Sequence, residues 1–426
     1  MKKLFSIAIF AFAINASYAQ TAREEIHENI HLSASNYLAY IAPDKPLTKA
    51  PKGYEPFYMS HYGRHGSRWL LGDNDYSSVI KVLKKADEEG KLTSLGKETL
   101  AKLERFYPTT IKRLGDLTTV GERQHHGIGK RMTEHFPEIF KGKNVEVDAR
   151  STVVIRCILS MTAECEELAA FNPNISFRND VSESLQYYLN QPWSGRVREE
   201  GRKGWDIRNE YKEKFTHPDR LCSSLFTDSQ YVADSINAKS FMRHLFDIAA
   251  NMQSHDTDID LYPLFTEEEC YDQWRIRNID WYIGYGASPV TNSLMPFSQA
   301  NLLRNFIETA DTIVNKKGYN GATLRFGHEV CVMPMACLME LDSCARKVDD
   351  LDRLDEKWVN YRIFPMAANI QLVFYRPKKG GGDILVKALL NEKETTMPVK
   401  TDNYPYYRWS DLREYYLKKL NDFQGK

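Results

Sequence analysis

The sequence has no surplus of either charge: 57 Lys and Arg stand against 57 Asp and Glu, for a formal net charge of +0 at pH 7. With no basic excess to hold a nucleic acid or an anionic membrane surface, neither is expected as a partner. Long apolar runs are absent once the first nineteen residues are passed. A membrane-spanning helix needs about eighteen or more apolar residues, so the mature chain is expected to carry no span. There is no C-x-x-C pair, which argues against zinc ribbons and thioredoxin-like redox chemistry. No internal repeat or low-complexity tract is visible, so nothing points to a repeat architecture.

Cysteine is sparse, with seven residues at 157, 165, 222, 270, 331, 337 and 344. The odd count leaves at least one unpaired. Cys157 and Cys165 fall on one expected helix, where a rise of about 1.5 Å per residue puts them roughly 12 Å apart, too far for a bridge.

At the N-terminus, Lys2 and Lys3 precede an apolar run from Leu4 to Ile14, and small residues at Ser17 and Ala19 follow. This order reads as a secretory signal peptide over residues 1–19, so the protein is expected to be periplasmic or secreted, where disulfides are possible. The remaining length exceeds a usual single domain, which predicts a large domain with a smaller one attached or inserted.

Phe57 to Ser60 reads as a strand running into a glycine-punctuated loop, His61-Tyr62-Gly63-Arg64-His65-Gly66. A charged helical pattern follows over 77–107. Thr118 or Thr119 is suited to cap a helix carrying Gln124, His125, Gly129 and Arg131. Asn144 to Asp148 alternates as a strand, and 152–170 reads as a long helix. Strand, loop and helix recur, which predicts an α/β core. From about 172 to 300 the texture turns aromatic, charged and helical, so this stretch is read as a helical cap inserted between core segments 20–171 and 301–426. Thr323 to Phe326 resumes strand character, and Ile370 to Tyr375 with Ile384 to Leu390 predicts a late hairpin.

The chemistry concentrates in Arg64-His65-Gly66-Ser67-Arg68. Two guanidinium forks suit phosphate oxygens, the glycine lets backbone approach a ligand, and a helix starting just after the loop would add free N–H groups. Positive neighbours should also keep His65 neutral and nucleophilic. His125 and His126 are adjacent on a helix, so they make a poor joint metal site, and His125 is read as supporting structure. His328-Glu329 is not a zinc helix motif, because position 332 is Val332.

Four ordered blocks resemble the histidine acid phosphatase family: Arg64-His65-Gly66-x-Arg68; Leu117-Thr118-x-x-Gly121-x-x-Gln124-His125-x-x-x-Gly129; Ser151 to Ser160 around Arg156-Cys157; and Arg325-Phe326-Gly327-His328-Glu329. The resemblance implies a three-layer α/β core with a mixed central sheet flanked by helices, plus a mainly helical cap. It implies His65 as the nucleophile that becomes phosphohistidine, Glu329 as proton donor, and Arg64, Arg68, Arg156 and His328 as phosphate ligands. Arg150 is the rival to Arg156. No metal or other cofactor is called for, and the partner is a small-molecule phosphomonoester. Phe326-Gly327-His328 with Met333-Pro334 resembles the multiple inositol polyphosphate phosphatase branch, although Glu329 follows His328 directly, as aspartate does in the acid phosphatase and bacterial phytase branches. Inositol polyphosphates such as phytate are therefore the expected substrates. A general acid phosphatase acting on sugar phosphates is one alternative, and a catalytically silent phosphate-binding module of the same fold is another.

Overall fold

The computed structural model describes residues 21–190 and 194–424. The expected signal peptide lies outside the described residues. Eight strands form one mixed sheet: β1 (Tyr54–Arg64), β2 (Val145–Ser151), β3 (Ser176–Val181), β4 (Asn320–Gly327), β5 (Asn369–Pro377), β6 (Leu385–Leu390), β7 (Lys393–Thr395) and β8 (Tyr407–Arg408). The order is β3-β2-β4-β1-β5-β6-β7, with β8 also on β6. Strands β3, β2, β4 and β1 run parallel, and β5 turns antiparallel against β1. The expected late hairpin is present, with Tyr375 opposite Leu385 across β5 and β6.

Nine helices matter for the site: α1 (Asp73–Glu88), α2 (Ser94–Phe106), α3 (Thr119–His135), α4 (Ile155–Phe171), α5 (Ala238–Asn251), α6 (Glu267–Tyr285), α7 (Ala300–Val314), α8 (Glu329–Leu338) and α9 (Trp409–Gln424). Strand alternation sorts the two faces of the sheet. Tyr58 and Tyr62 of β1 point into a core shared with α6, α7, α8 and α9. Met59 points the other way, into a core with Ile128 and Met132 of α3 and Met161 and Leu168 of α4. The sheet is thus covered on both sides, as its parallel half, β3-β2-β4-β1, requires.

A third core, built mainly from helices with loop residues such as Leu70 and Val359, differs from the expected insert. Segment 172–300 opens with β3, which pairs with β2 at the sheet edge, so sheet structure continues past residue 172. Its helices α5 and α6 share their apolar core with Leu83 of α1, Leu103 of α2 and Ala22 and Ala34 near the start. The helical layer is therefore assembled from several stretches of chain. The helical pattern over 77–107 was legible from its spacing; its break into α1 and α2, and the partner far away in sequence, were not. Among the described residues no helix is long and apolar enough to cross a membrane, and all seven cysteines are buried free thiols.

Candidate active site

Parallel register brings the motifs together. Arg64 at the end of β1 lies opposite Gly327 at the end of β4, and Phe326 lies opposite Ser151 at the end of β2. The segments leaving these three C-terminal strand ends, 65–68, 328–329 and 152–156, emerge side by side at one edge, the usual place for a site in an α/β sheet.

The loop after β1 is fixed by close backbone approach. A Cβ on Gly66 would lie 2.4 Å from the Gly121 carbonyl oxygen, and one on Gly121 would lie 2.3 Å from that of Ser67. Only glycine fits at either position. Thr118 caps α3 by accepting from the Gly121 N–H, and its own N–H donates to the Ser67 carbonyl at 2.9 Å. Gln124 clasps Ser67 twice, accepting from its N–H at 2.9 Å and donating to its hydroxyl at 3.0 Å. Ser160 of α4 accepts from the Gly66 N–H at 3.2 Å. Three of the sequence blocks are thus one object: α3 and α4 grip the loop that carries His65.

His65 is fully buried. Its Nδ1 lies 2.9 Å from the Gly66 carbonyl oxygen. A carbonyl only accepts, so Nδ1 carries the proton and the lone pair sits on Nε2. Nε2 has no hydrogen-bond partner, and faces Glu329 Oε2 at 3.4 Å. Glu329 Oε2 also lies 3.2 Å from Arg64 Nε. Arg64 is anchored by Nη1, which donates to the carbonyls of Asn36 at 2.7 Å and Phe364 at 3.0 Å, while its Nε and Nη2 have no hydrogen-bond partner. The Nε atoms of Arg68 and Arg156 are likewise buried without one. Buried donors of this kind are normally satisfied, and several cations with free N–H groups around one imidazole suit an oxyanion. His328 stands at the N-cap position of α8, though its side chain makes no hydrogen bond to the helix end; its Nε2 lies 3.3 Å from the Thr152 hydroxyl, and its ring centroid is 5.7 Å from that of His65.

Burial is the largest influence holding His65 well below the usual histidine range, with Arg156 and Arg64 adding to it and Glu329 opposing. The neutrality expected from positive neighbours is therefore owed first to desolvation. His328 is pushed down to about 4, by burial first and then by Arg156, Arg64 and Arg68 against the opposing pull of Glu329. Burial alone would raise Glu329, but Arg64, His65 and Arg68 outweigh it and hold the carboxyl well below its ordinary value. Arg64 itself is lowered to about 10, by burial first and by Arg68 and Arg156 among its neighbours, with Glu329 opposing. His65, His328 and Glu329 offer ligand atoms within 4.8 Å of one another, a spacing that a metal ion spans. The surrounding guanidinium groups oppose a cation there and favour an anion.

All six residues singled out in the sequence converge on this edge. Arg150, the rival to Arg156, is bound to Asp148 at 2.7 and 2.9 Å and to the Tyr188 hydroxyl at 3.3 Å. The helix after the loop begins only at Asp73, where the Asp75 carboxylate already accepts from the Gly72 N–H. Its N-terminus therefore adds nothing to the anion site, and α4 and α8 begin there instead. His125 pairs with Glu164 at 2.7 Å, both fully buried, which ties α3 to α4. Asn36 and Tyr37 went unnoticed in the sequence: Asn36 supplies a carbonyl to Arg64, and the Tyr37 ring lies 5.6 Å from the Arg68 guanidinium. Ser35 before them adopts φ 60° and ψ −122°, held by Asn360 at 2.6 Å, and nothing in the local sequence signals that strain.

No protein-family model and no curated protein matches the chain. Solved structures do match in fold. The multiple inositol polyphosphate phosphatase of Bifidobacterium longum, solved with inositol hexasulfate, aligns with TM-score 0.72 at 18% identity over 89% of this chain and 96% of that one. The phytase from D. castellii aligns with TM-score 0.67 at 14% identity over 92% and 85%. The Hafnia alvei phytase aligns with TM-score 0.52 at 11% identity over 87% and 98%.

Proposed function

We propose that the protein is an exported phosphomonoesterase that works through a phosphohistidine on His65, with inositol polyphosphates as substrates. One observation carries the reading: a buried imidazole whose tautomer leaves the Nε2 lone pair free, set among guanidinium groups with unpartnered N–H donors and 3.4 Å from a carboxylate. In the first step the Nε2 lone pair forms the N–P bond as the ester P–O bond breaks, and Glu329 gives its proton to the departing alkoxide. In the second, a water oxygen bonds to phosphorus, the N–P bond breaks, and Glu329 takes the water proton. Arg64, Arg68, Arg156 and His328 hold the equatorial oxygens where charge is greatest.

The donor must be protonated, and its arginine neighbours hold it low. A bound phosphate cancels part of that field and lifts Glu329, and turnover increases as pH falls from neutral into the acid range. His65 stays neutral over that range because it too is held well below 6.5. The fold shared with an inositol polyphosphate phosphatase and phytases, together with the residues around His328, supports the substrate class. Phosphate release from phytate and from p-nitrophenyl phosphate, compared across pH, tests it. A kcat/KM for phytate far above that for the generic ester is expected; the reverse ratio makes the protein a general acid phosphatase.

A further inference from the structure

From the sheet side the loop is held by Gln124 and Ser160; from the helical layer it is held by two side chains, Asn251 and Tyr76. Asn251, the last residue of α5, is fully buried. Its Nδ2 donates to the Arg68 carbonyl at 3.0 Å. That fixes the amide orientation, leaving Oδ1 toward the Tyr76 hydroxyl at 3.4 Å and a His255 ring nitrogen at 3.1 Å. The Tyr76 hydroxyl in turn accepts from the Leu70 N–H at 2.8 Å. The His255 ring is wedged between Trp69 at 5.0 Å and Phe106 at 4.9 Å. Residues 68–70 are thus tied at two backbone points to one side-chain cluster drawn from α1 and the end of α5.

The Arg68 side chain has few anchors of its own. Nη1 folds back onto the Trp69 carbonyl at 2.9 Å, Nε has no partner, and the guanidinium rests over Tyr37. Its direction therefore follows its main chain. We infer that Asn251 is a positioning residue that aims Arg68 at the phosphate, through the Arg68 carbonyl and without touching the ligand itself. This rests on the reading of Arg68 as a phosphate ligand.

The test is a double-substitution cycle on the full chain with inorganic phosphate as probe, followed by phosphorus NMR titration, which reaches weak affinities. Asn251→Ala is expected to weaken phosphate binding about five-fold, the scale of one hydrogen bond. In an Arg68→Ala background the same substitution is expected to change binding no further. A structural role independent of Arg68 would give equal weakening in both backgrounds, and that result, or full affinity in Asn251→Ala alone, overturns the inference. Tyr76→Phe, which removes both the acceptor for the Leu70 N–H and the donor to Asn251 Oδ1, is expected to behave in the same way and serves if Asn251→Ala does not fold. Failure of the unsubstituted protein to bind phosphate overturns the phosphate-site reading instead.

Discussion

At Glu329 two opposing influences meet. Burial favours the neutral acid, which a proton donor needs, and the Arg64 and Arg68 guanidinium groups favour the carboxylate, with the second effect winning when no phosphate is bound. In the proposed cycle the substrate supplies the missing negative charge. Glu329→Gln keeps the size of the side chain and removes the transferable proton. It is expected to lower kcat on alkyl phosphates by about 10²–10⁴, and much less on p-nitrophenyl phosphate, whose phenolate leaves without help. Equal losses on both esters would assign the carboxylate a different task. That His65, the arginines and the His328-Glu329 pair meet at one edge was expected from the family resemblance of the compact runs that carry them. Asn36, Tyr37 and Asn251 stand alone in sequence. They reach the site only through folding of the helical layer, so no spacing could reveal them.

Among elements, the loop over 65–70 and the start of α3 are mutually dependent. A methyl group on Gly121 would sit 2.3 Å from the Ser67 carbonyl oxygen and 2.7 Å from its nitrogen, both backbone atoms without freedom to rotate away. Gly121→Ala is expected to cost about 1–3 kcal/mol of stability and to displace His65, seen as a lower denaturation midpoint together with loss of turnover. A variant with unchanged stability and activity would show that the loop yields freely. The glycine in the Leu117-Thr118-x-x-Gly121 block was visible in the sequence, but its purpose appears only when the Ser67 backbone is placed against it. Strand β3 shows the converse. Its residues alternate weakly and most are exposed or half-buried, so the sequence carried little strand signal there, and only pairing with β2 makes it part of the sheet.

For the molecule as a whole, acid conditions pull in two directions. His61 and His65 are held well below 6.5, and His255 and His328 are pushed down to about 4, all of them by burial first. An unfolded chain protonates these side chains near pH 6.5, whereas the folded protein does not. The stability they contribute is therefore complete above about pH 6.5 and is lost progressively as pH falls below it. Buried Glu164, which burial raises, works in the opposite sense over the carboxylate range. The protein is expected to unfold at lower denaturant as pH drops from 7 to 4.5 while its turnover rises; a denaturation midpoint that holds steady over that interval would contradict the neutral, buried state of these imidazoles. The α/β class and late hairpin could be read from periodicity. The assembly of the helical layer from the N-terminal stretch, α1, α2, α5 and α6 could not, because each contributes one apolar face and only tertiary contact pairs them.

The most direct measurement is the covalent one. Substrate carrying labelled phosphate, mixed with the protein and quenched under alkaline conditions that preserve phosphohistidine, is expected to leave label on the peptide containing His65, and His65→Ala is expected to lose both label and turnover. Turnover that persists in His65→Ala, or label that appears on another residue, would contradict the account.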